Sequence, residues 1–332
     1  MTSNVRSSLA LFFLLFLATV CRADVKPINL LAASDGDRYW VCLISNDTQR
    51  GMTFSSVRER VDSSEGTWQE IALLQTPVRA MAAHADGLAV LTGDLDLRLV
   101  WSGGGTPLPT IANMTKLHRI GSDGKSLIVS ATGETPSPTD GLYRFSGAEW
   151  AFVAALPAGI AAEQVVLGGT DGRIWLAAAE ATPFRAFELG DEGKWTEHPL
   201  PTGGAAAGFV GESPLSVATR QHDGKWSVAP LPSGSPWSTL AVDLPSAVTQ
   251  VGPTTRVLST DDKRQISQWT YESPEKLTGP VPVAQIAPAA NTTREWQSFL
   301  ILTLLTLSMM LTMRPATTLP PGINPATFRL AP

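Results

Sequence analysis

Carboxylates and imidazoles are the side chains of this chain that could do chemistry. Asp35, Asp86, Asp123 and Asp171 each precede a glycine, in "SDGD", "ADGL", "SDGK" and "TDGR". On one rim they would form a partial ring of acids. Such a ring would hold a cation through hard oxygen ligands, or bring two acids together for glycoside cleavage. Of the four histidines, His84, His118, His198 and His222, two stand just ahead of such turns. His84 and His118 are therefore read as reaching the same rim. Asp86, Asp123, Asp171, His84 and His118 are the candidate ligand-binding residues. The competing account is structural, because Asp-Gly is good turn chemistry in its own right.

No residue is assigned a catalytic role. None of the histidines lies at ligand spacing from another His, Cys or acid, so no metal and no cofactor is expected. "DGKS" (123–126) has the end of a phosphate loop, but Arg119 stands where its first glycine belongs, and a strand-like "LIVSA" follows. A Gly-x-Ser-x-Gly nucleophile elbow is absent.

The elements that must position these residues come from a repeat. An apolar run, a polar turn and a second apolar run recur, as in "AMAAHADGLAVLTG", "HRIGSDGKSLIVSA" and "VVLGGTDGRIWLAAA". The turns fall at Gly36, Gly87, Gly124, Gly172, Ser213 and Pro253, a mean spacing near 43 residues. A second motif follows in most units: a Gly, a Trp, then an extended stretch to Leu or Pro. It reads "GTWQEIALL", "GAEWAFVAALP", "GKWTEHPLP", "GKWSVAPLP" and, in degenerate form, "QWTYESPEKL". Each unit is thus strand, tight turn, strand, looser turn, strand and a Trp-led strand. Asp-Gly suits a two-residue hairpin whose central positions need positive φ. A four-stranded unit of about 40–45 residues is the size of a propeller blade. The fold class is therefore all-β, a β-propeller of six blades between about 28 and 285, although seven shorter ones also fit the length. "GKWTEHPLP" and "GKWSVAPLP" agree at six of nine positions and lie 31 residues apart, so the fifth blade is expected to be the most compact.

The chain resembles β-propellers of the broad Kelch, WD40 and sensor-propeller type. "TDGRIWLAAA" (170–179) is similar to the Asp-Gly-x-x-Trp repeats of two-component sensor propellers, "LGGTDG" to the Gly-Gly of Kelch blades, and "SDGDRYW" (34–40) to the Asp-box of sialidases. The Kelch pair occurs once and the Asp-box spacing is off. The resemblance therefore implies the architecture alone, and no family's active residues map onto this sequence.

Both ends read as membrane-related. Residues 1–23 form a secretory signal: Arg6, the apolar run Leu9–Val20, and "CRA" before Asp24. Cys21 falls in that leader, which leaves Cys42, in "YWVCLIS", as a small core residue. Residues 296–313, "WQSFLILTLLTLSMMLTM", are uncharged and long enough for a single transmembrane helix through the lipid bilayer. The propeller, 24–290, is then expected on the extracytoplasmic side, with 314–332 as a short cytoplasmic tail rich in Pro and Gly. That tail is similar to the run-up to the membrane domain of bacterial RDD-family proteins, without their Arg-Asp-Asp signature.

A net charge of -5, with no Lys/Arg cluster, argues against nucleic acid as a partner. The expected function is a membrane-anchored module that binds, senses or scaffolds a protein or glycan ligand. The alternative is a glycan-active hydrolase or lyase on the same scaffold. Acids that only cap their own hairpins favour binding; acids and a histidine gathered around one pocket favour the enzyme.

Overall fold

The computed structural model describes residues 25–285, apart from 37, 49–50, 62–66, 135–139, 179–184, 201–204, 212–214, 233–234, 240, 243–244, 252–253 and 274–275, together with Thr303. The expected leader, the rest of the span at 296–313 and the tail lie outside the described residues. Among the described residues no helix is long and apolar enough to cross a membrane.

The protein is a six-bladed β-propeller. Each blade is an antiparallel sheet of four strands consecutive in sequence. Blade 1 holds β1 (Val25–Asp35), β2 (Arg38–Asp47), β3 (Met52–Val61) and β4 (Gln69–Leu74). Blade 2 holds β5 (Ala80–His84), β6 (Gly87–Leu91), β7 (Leu97–Trp101) and β8 (Gly104–Pro107). Blade 3 holds β9 (Lys116–Ser122), β10 (Leu127–Thr132), β11 (Gly141–Phe145) and β12 (Trp150–Ala154). Blade 4 holds β13 (Val165–Thr170), β14 (Arg173–Ala178), β15 (Arg185–Leu189) and β16 (Trp195–Pro199). Blade 5 holds β17 (Ala205–Val210), β18 (Ser216–Arg220), β19 (Trp226–Pro230) and β20 (Trp237–Ser238). Blade 6 holds β21 (Ser246–Val251), β22 (Thr254–Thr260), β23 (Gln265–Ser273) and β24 (Lys276–Gln285).

The hydrophobic core is divided into six wedges, one between each pair of neighbouring blades. Strand periodicity explains the division. Side chains alternate across a strand, and a blade is covered on both faces, so a second strand is buried on both sides and carries apolar residues facing each neighbour. In β6, Leu88 and Val90 pack toward blade 1, while Ala89 and Leu91 pack toward blade 3. In β14, Ile174 and Leu176 face blade 3, while Trp175 and Ala177 face blade 5. Cys42 lies fully buried in the wedge between blades 1 and 2, and burial pushes its thiol up to about 12. A protonated thiol fits the expected packing role.

First strands approach the axis closely enough to require glycine. A Cβ on Gly121 of β9 would run into the Leu167 carbonyl of β13, and one on Gly168 of β13 would enter the Phe209 ring of β17. The "GG" of "LGGTDG" therefore serves close approach of backbones.

Among the described residues no strand from one end of the chain completes a blade at the other, so the ring closes through side chains. Leu30, Val41 and Leu43 of blade 1 pack on Ala247, Leu258 and Ile266 of blade 6. Above this wedge, Arg256 donates to the Tyr39 hydroxyl at 2.9 Å and lies 4.7 Å from its ring centroid, and the Tyr39 hydroxyl meets Gln268 Oε1 at 3.3 Å.

Two sequence expectations need correction. The Trp motif opens the fourth strand in blades 3 and 4, and Trp68 directly precedes it in blade 1, but Trp226 opens the third strand of blade 5 and Trp269 lies inside the third strand of blade 6. The short 31-residue spacing reflects this shift of strand. The most compact blade is the second, over 80–107, whereas the fifth covers 205–238.

Candidate functional site

An axial channel of about 610 Å³ is lined by all six first strands, β1, β5, β9, β13, β17 and β21. That volume suits a small ligand. Most of its wall is Ala, Gly and Val, so the few charged side chains dominate its electrostatics. The first strands run in one direction around the ring. The channel therefore has a mouth at the first hairpins and a mouth at the strand starts.

At the hairpin mouth the four acids do not occupy equivalent positions. Asp35 ends β1, pairs with Arg38 across the turn and salt-bridges it at 3.0 Å. Asp86 is in the two-residue turn of blade 2; its amide donates to His84 Nδ1 at 3.2 Å, and its carboxylate lies 3.7 Å from the same nitrogen, largely in solvent. Asp123 opens a four-residue turn. It is fully buried, accepts from the amides of Lys125 and Ser126 at 2.9 and 2.7 Å, and meets Arg144 at 2.9 Å. Asp171 and Gly172, at φ 55 and 84, form the one two-residue Asp-Gly turn of this group. The repeat of sequence is thus not a repeat of geometry: the turns of blades 1, 2 and 4 all hold two residues, but the aspartate falls before, last in and first in them respectively, and the blade 3 turn is longer.

Of these residues, Asp35 and His84 border the channel, whereas Asp86, Asp123 and Asp171 are absent from its wall. Asp35 and Asp123 are held by residues of their own blades, and the Asp86 carboxylate lies largely in solvent. The cations at this mouth reach across to the next blade instead. Arg38 donates to the Ala85 carbonyl, Lys125 to the Asp171 carbonyl and Arg144 to the Gly172 carbonyl, at 3.0, 3.0 and 2.7 Å. These bonds join blade 1 to blade 2 and blade 3 to blade 4.

His118 is not beside a hairpin. It lies near the start of β9, buried, with Nε2 2.9 Å from the Thr132 hydroxyl. Burial pushes its pKa down, Glu163 pulls it up, and Lys116, Arg79 and Arg119 push it further down. The shift is depressive overall, so the folded chain resists protonating it. His84 and His118 therefore sit at opposite ends of their first strands and are not brought together.

The strand-start mouth carries the residues that sequence reading missed. Arg79, just before β5, and Arg119, within β9, both line the channel. Arg79 Nη1 meets Asp94 Oδ1 at 3.1 Å, and Arg119 Nε donates to the Val165 carbonyl at 3.2 Å. Burial and then the like charge of Arg79 push the Arg119 guanidinium below its ordinary value, opposed by Glu163. A signal for Arg119 was present: it is a charged residue inside the apolar first strand "LHRIGS". Among the described residues no cluster of three or more His, Cys, Asp or Glu is arranged to hold a metal ion.

Comparison with known proteins bears on the fold. No family model matches the chain, and no curated relative matches it. Among solved structures it is similar to a point mutant of the Aleuria aurantia lectin, in complexes with alpha-methyl-L-fucoside and with Fucalpha1-6GlcNAc. Each has a TM-score of 0.50 and 15% identity, covering 80% of this chain and 99% of the lectin. A streptogramin B lyase follows at 0.45 and 16%, covering 81% of this chain and 85% of that one. At these identities the likeness is one of propeller architecture.

Proposed function

We propose that this protein is a ligand-binding propeller that takes a small carbohydrate in its axial channel. One observation carries the reading: a channel of about 610 Å³, walled largely by small residues, that offers a ligand both polar and apolar surface. Rigid strands around such a channel pre-organise a site at little entropic cost. The carbohydrate class is suggested by the propeller lectin of Aleuria aurantia, whose complexes carry fucosides. A glycan-cleaving enzyme needs acids converging on one bond. Here Asp123 is committed to Arg144 and two amides, and Asp35 to Arg38, which supports binding over cleavage.

The site is presented outside the cytoplasm and tethered to the bilayer by residues 296–313. The experiment is a glycan array probed with labelled full-length protein in detergent, paired with a glycosidase assay on every retained glycan. Retention without turnover is expected. Turnover of a retained glycan would replace this reading with the enzyme. For the tether, full-length protein should remain in membranes at alkaline pH and be released on deletion of 296–313; release of the intact chain would refute it.

A further inference from the structure

The two mouths differ in how their cations are used. At the hairpin mouth, Arg38, Lys125 and Arg144 donate to carbonyls of the next blade's hairpin. At the strand-start mouth, Arg119 spends only Nε, on the Val165 carbonyl, and its two terminal amino groups have no hydrogen bond or ion pair among the described residues. Arg79 is steadied through Nη1 by Asp94 and, at 3.4 Å, by the Gly93 carbonyl, and Nη2 is left over.

These arginines come from adjacent blades, line one channel and raise each other's electrostatic energy. Two like charges at a half-buried site are costly unless an anion shares them. Nearby acids only partly do so: the Asp94 side chain is 67% exposed, and Glu163 is exposed on the 3-10 turn Ala162–Gln164. Around the rest of the wall, β17 and β21 contribute small or neutral residues such as Ala206, Ala207 and Thr249. The channel is therefore polarised, with its positive side on blades 2 and 3. A planar guanidinium edge matches a carboxylate through two parallel N–H donors.

We infer that the strand-start mouth is a carboxylate-binding subsite, formed by Arg79 and Arg119, that selects acidic over neutral carbohydrate. This inference rests on the channel being the ligand site. Calorimetric titration of full-length protein in detergent with glucuronate and with glucose, at low and high salt, tests both levels. The expected result is at least about tenfold tighter binding of glucuronate, a preference that shrinks in high salt. Arg119→Gln and Arg79→Gln should remove the preference, bringing the affinity for glucuronate down to that for glucose. Arg119→Lys should restore part of it, and a melting curve for each variant separates lost binding from lost fold. Equal affinity for the two sugars would overturn the carboxylate subsite alone. A glucuronate preference untouched in Arg119→Gln would also overturn it. Ala207→Trp, which narrows the channel at an exposed lining position, should abolish binding of both sugars. Undiminished binding in that variant would instead overturn the channel reading, and with it this inference. Absence of binding by either sugar would overturn the subsite as stated, and the array then judges the channel on its own.

Discussion

"GKWTEHPLP" (193–201) and "GKWSVAPLP" (224–232) are nearly the same peptide, and they fold into the same turn but different strands. In both, a glycine at positive φ closes the loop: Gly193 at 70 and Gly224 at 81. The backbone bonds repeat as well. Gly190 donates to the Lys194 carbonyl as Gln221 does to that of Lys225, at 2.9 Å in each. The lysine returns to the acid two residues earlier, Lys194 to Glu192 and Lys225 to Asp223. Beyond the tryptophan the copies part. The first becomes β16, an outer edge strand whose Thr196 and Glu197 are exposed. The second becomes β19, flanked by β18 and β20 and buried from Trp226 to Ala229. Trp195 leans back on the wedge between blades 3 and 4 and donates to the Ala155 carbonyl at 2.8 Å. Trp226 packs forward between blades 5 and 6 and meets the Ser246 hydroxyl at 3.3 Å. Leu200 and Leu231 then meet in one wedge, between blades 4 and 5. Local residues thus set the turn, and the long-range environment decides whether the strand beyond it is inside or outside.

Substitutions at matched positions break or sharpen this contrast. The largest effect is expected from exchanging the middle of the motif. Val228→Glu places an unpaired carboxylate at a site 2% exposed and should cost about 3–5 kcal/mol, read as a shift of the urea midpoint. The converse change, Glu197→Val, should leave the midpoint nearly unmoved and lower solubility, because it adds an apolar side chain to an exposed edge. Equal destabilisation by the two would show that the copies are equivalent after all.

Next come the tryptophans. Trp226→Ala, at 3% exposure, should cost about 3–5 kcal/mol. Trp195→Ala, half-buried and held by one hydrogen bond, should cost about half as much. A reversed order in thermal melts would overturn the assignment of β19 to the blade interior.

The glycines follow. Gly193→Ala meets only the penalty of a left-handed backbone, about 1–2 kcal/mol. Gly224→Ala should cost more, since its Cβ would also lie 3.0 Å from the Val242 carbonyl. The smallest effect is electrostatic. The hydrogen bond from Lys225 holds the Asp223 carboxyl below its ordinary value. A depressed acid contributes above its unfolded pKa, about 3.9, and loses that contribution as pH falls through the lower folded value. Asp223→Asn should therefore slightly lower stability at neutrality, change nothing well below the folded value, and so flatten the acid limb of the stability profile below about pH 4. Unchanged slopes would remove the ion pair from the account of the turn.

Much of the architecture was legible because blades repeat and strands alternate. The hairpin at Asp171-Gly172, the glycine pair at 168–169 and the apolar second strand β14 were each readable from neighbouring residues. The rim of acids was not. Asp35, Asp86, Asp123 and Asp171 look alike in sequence, yet each falls at a different place relative to its turn, and a shift of one position redirects a side chain. The difference between the Trp copies was present in "TEH" against "SVA", polar for an edge and small or apolar for an interior. Shared flanks obscured it. Arg79 and Arg119 are far apart in sequence and become neighbours only when blades 2 and 3 close around the axis.

By itself, the sequence determined the all-β class and the repeated four-stranded unit, because these depend on short-range periodicity and on backbone preferences at a few glycines. The tertiary structure alone decided which strand a repeated peptide becomes, which acids are spent on their own hairpins, and which two arginines face one channel. Those outcomes depend on burial and on contacts between blades, and both exist only once the ring is closed.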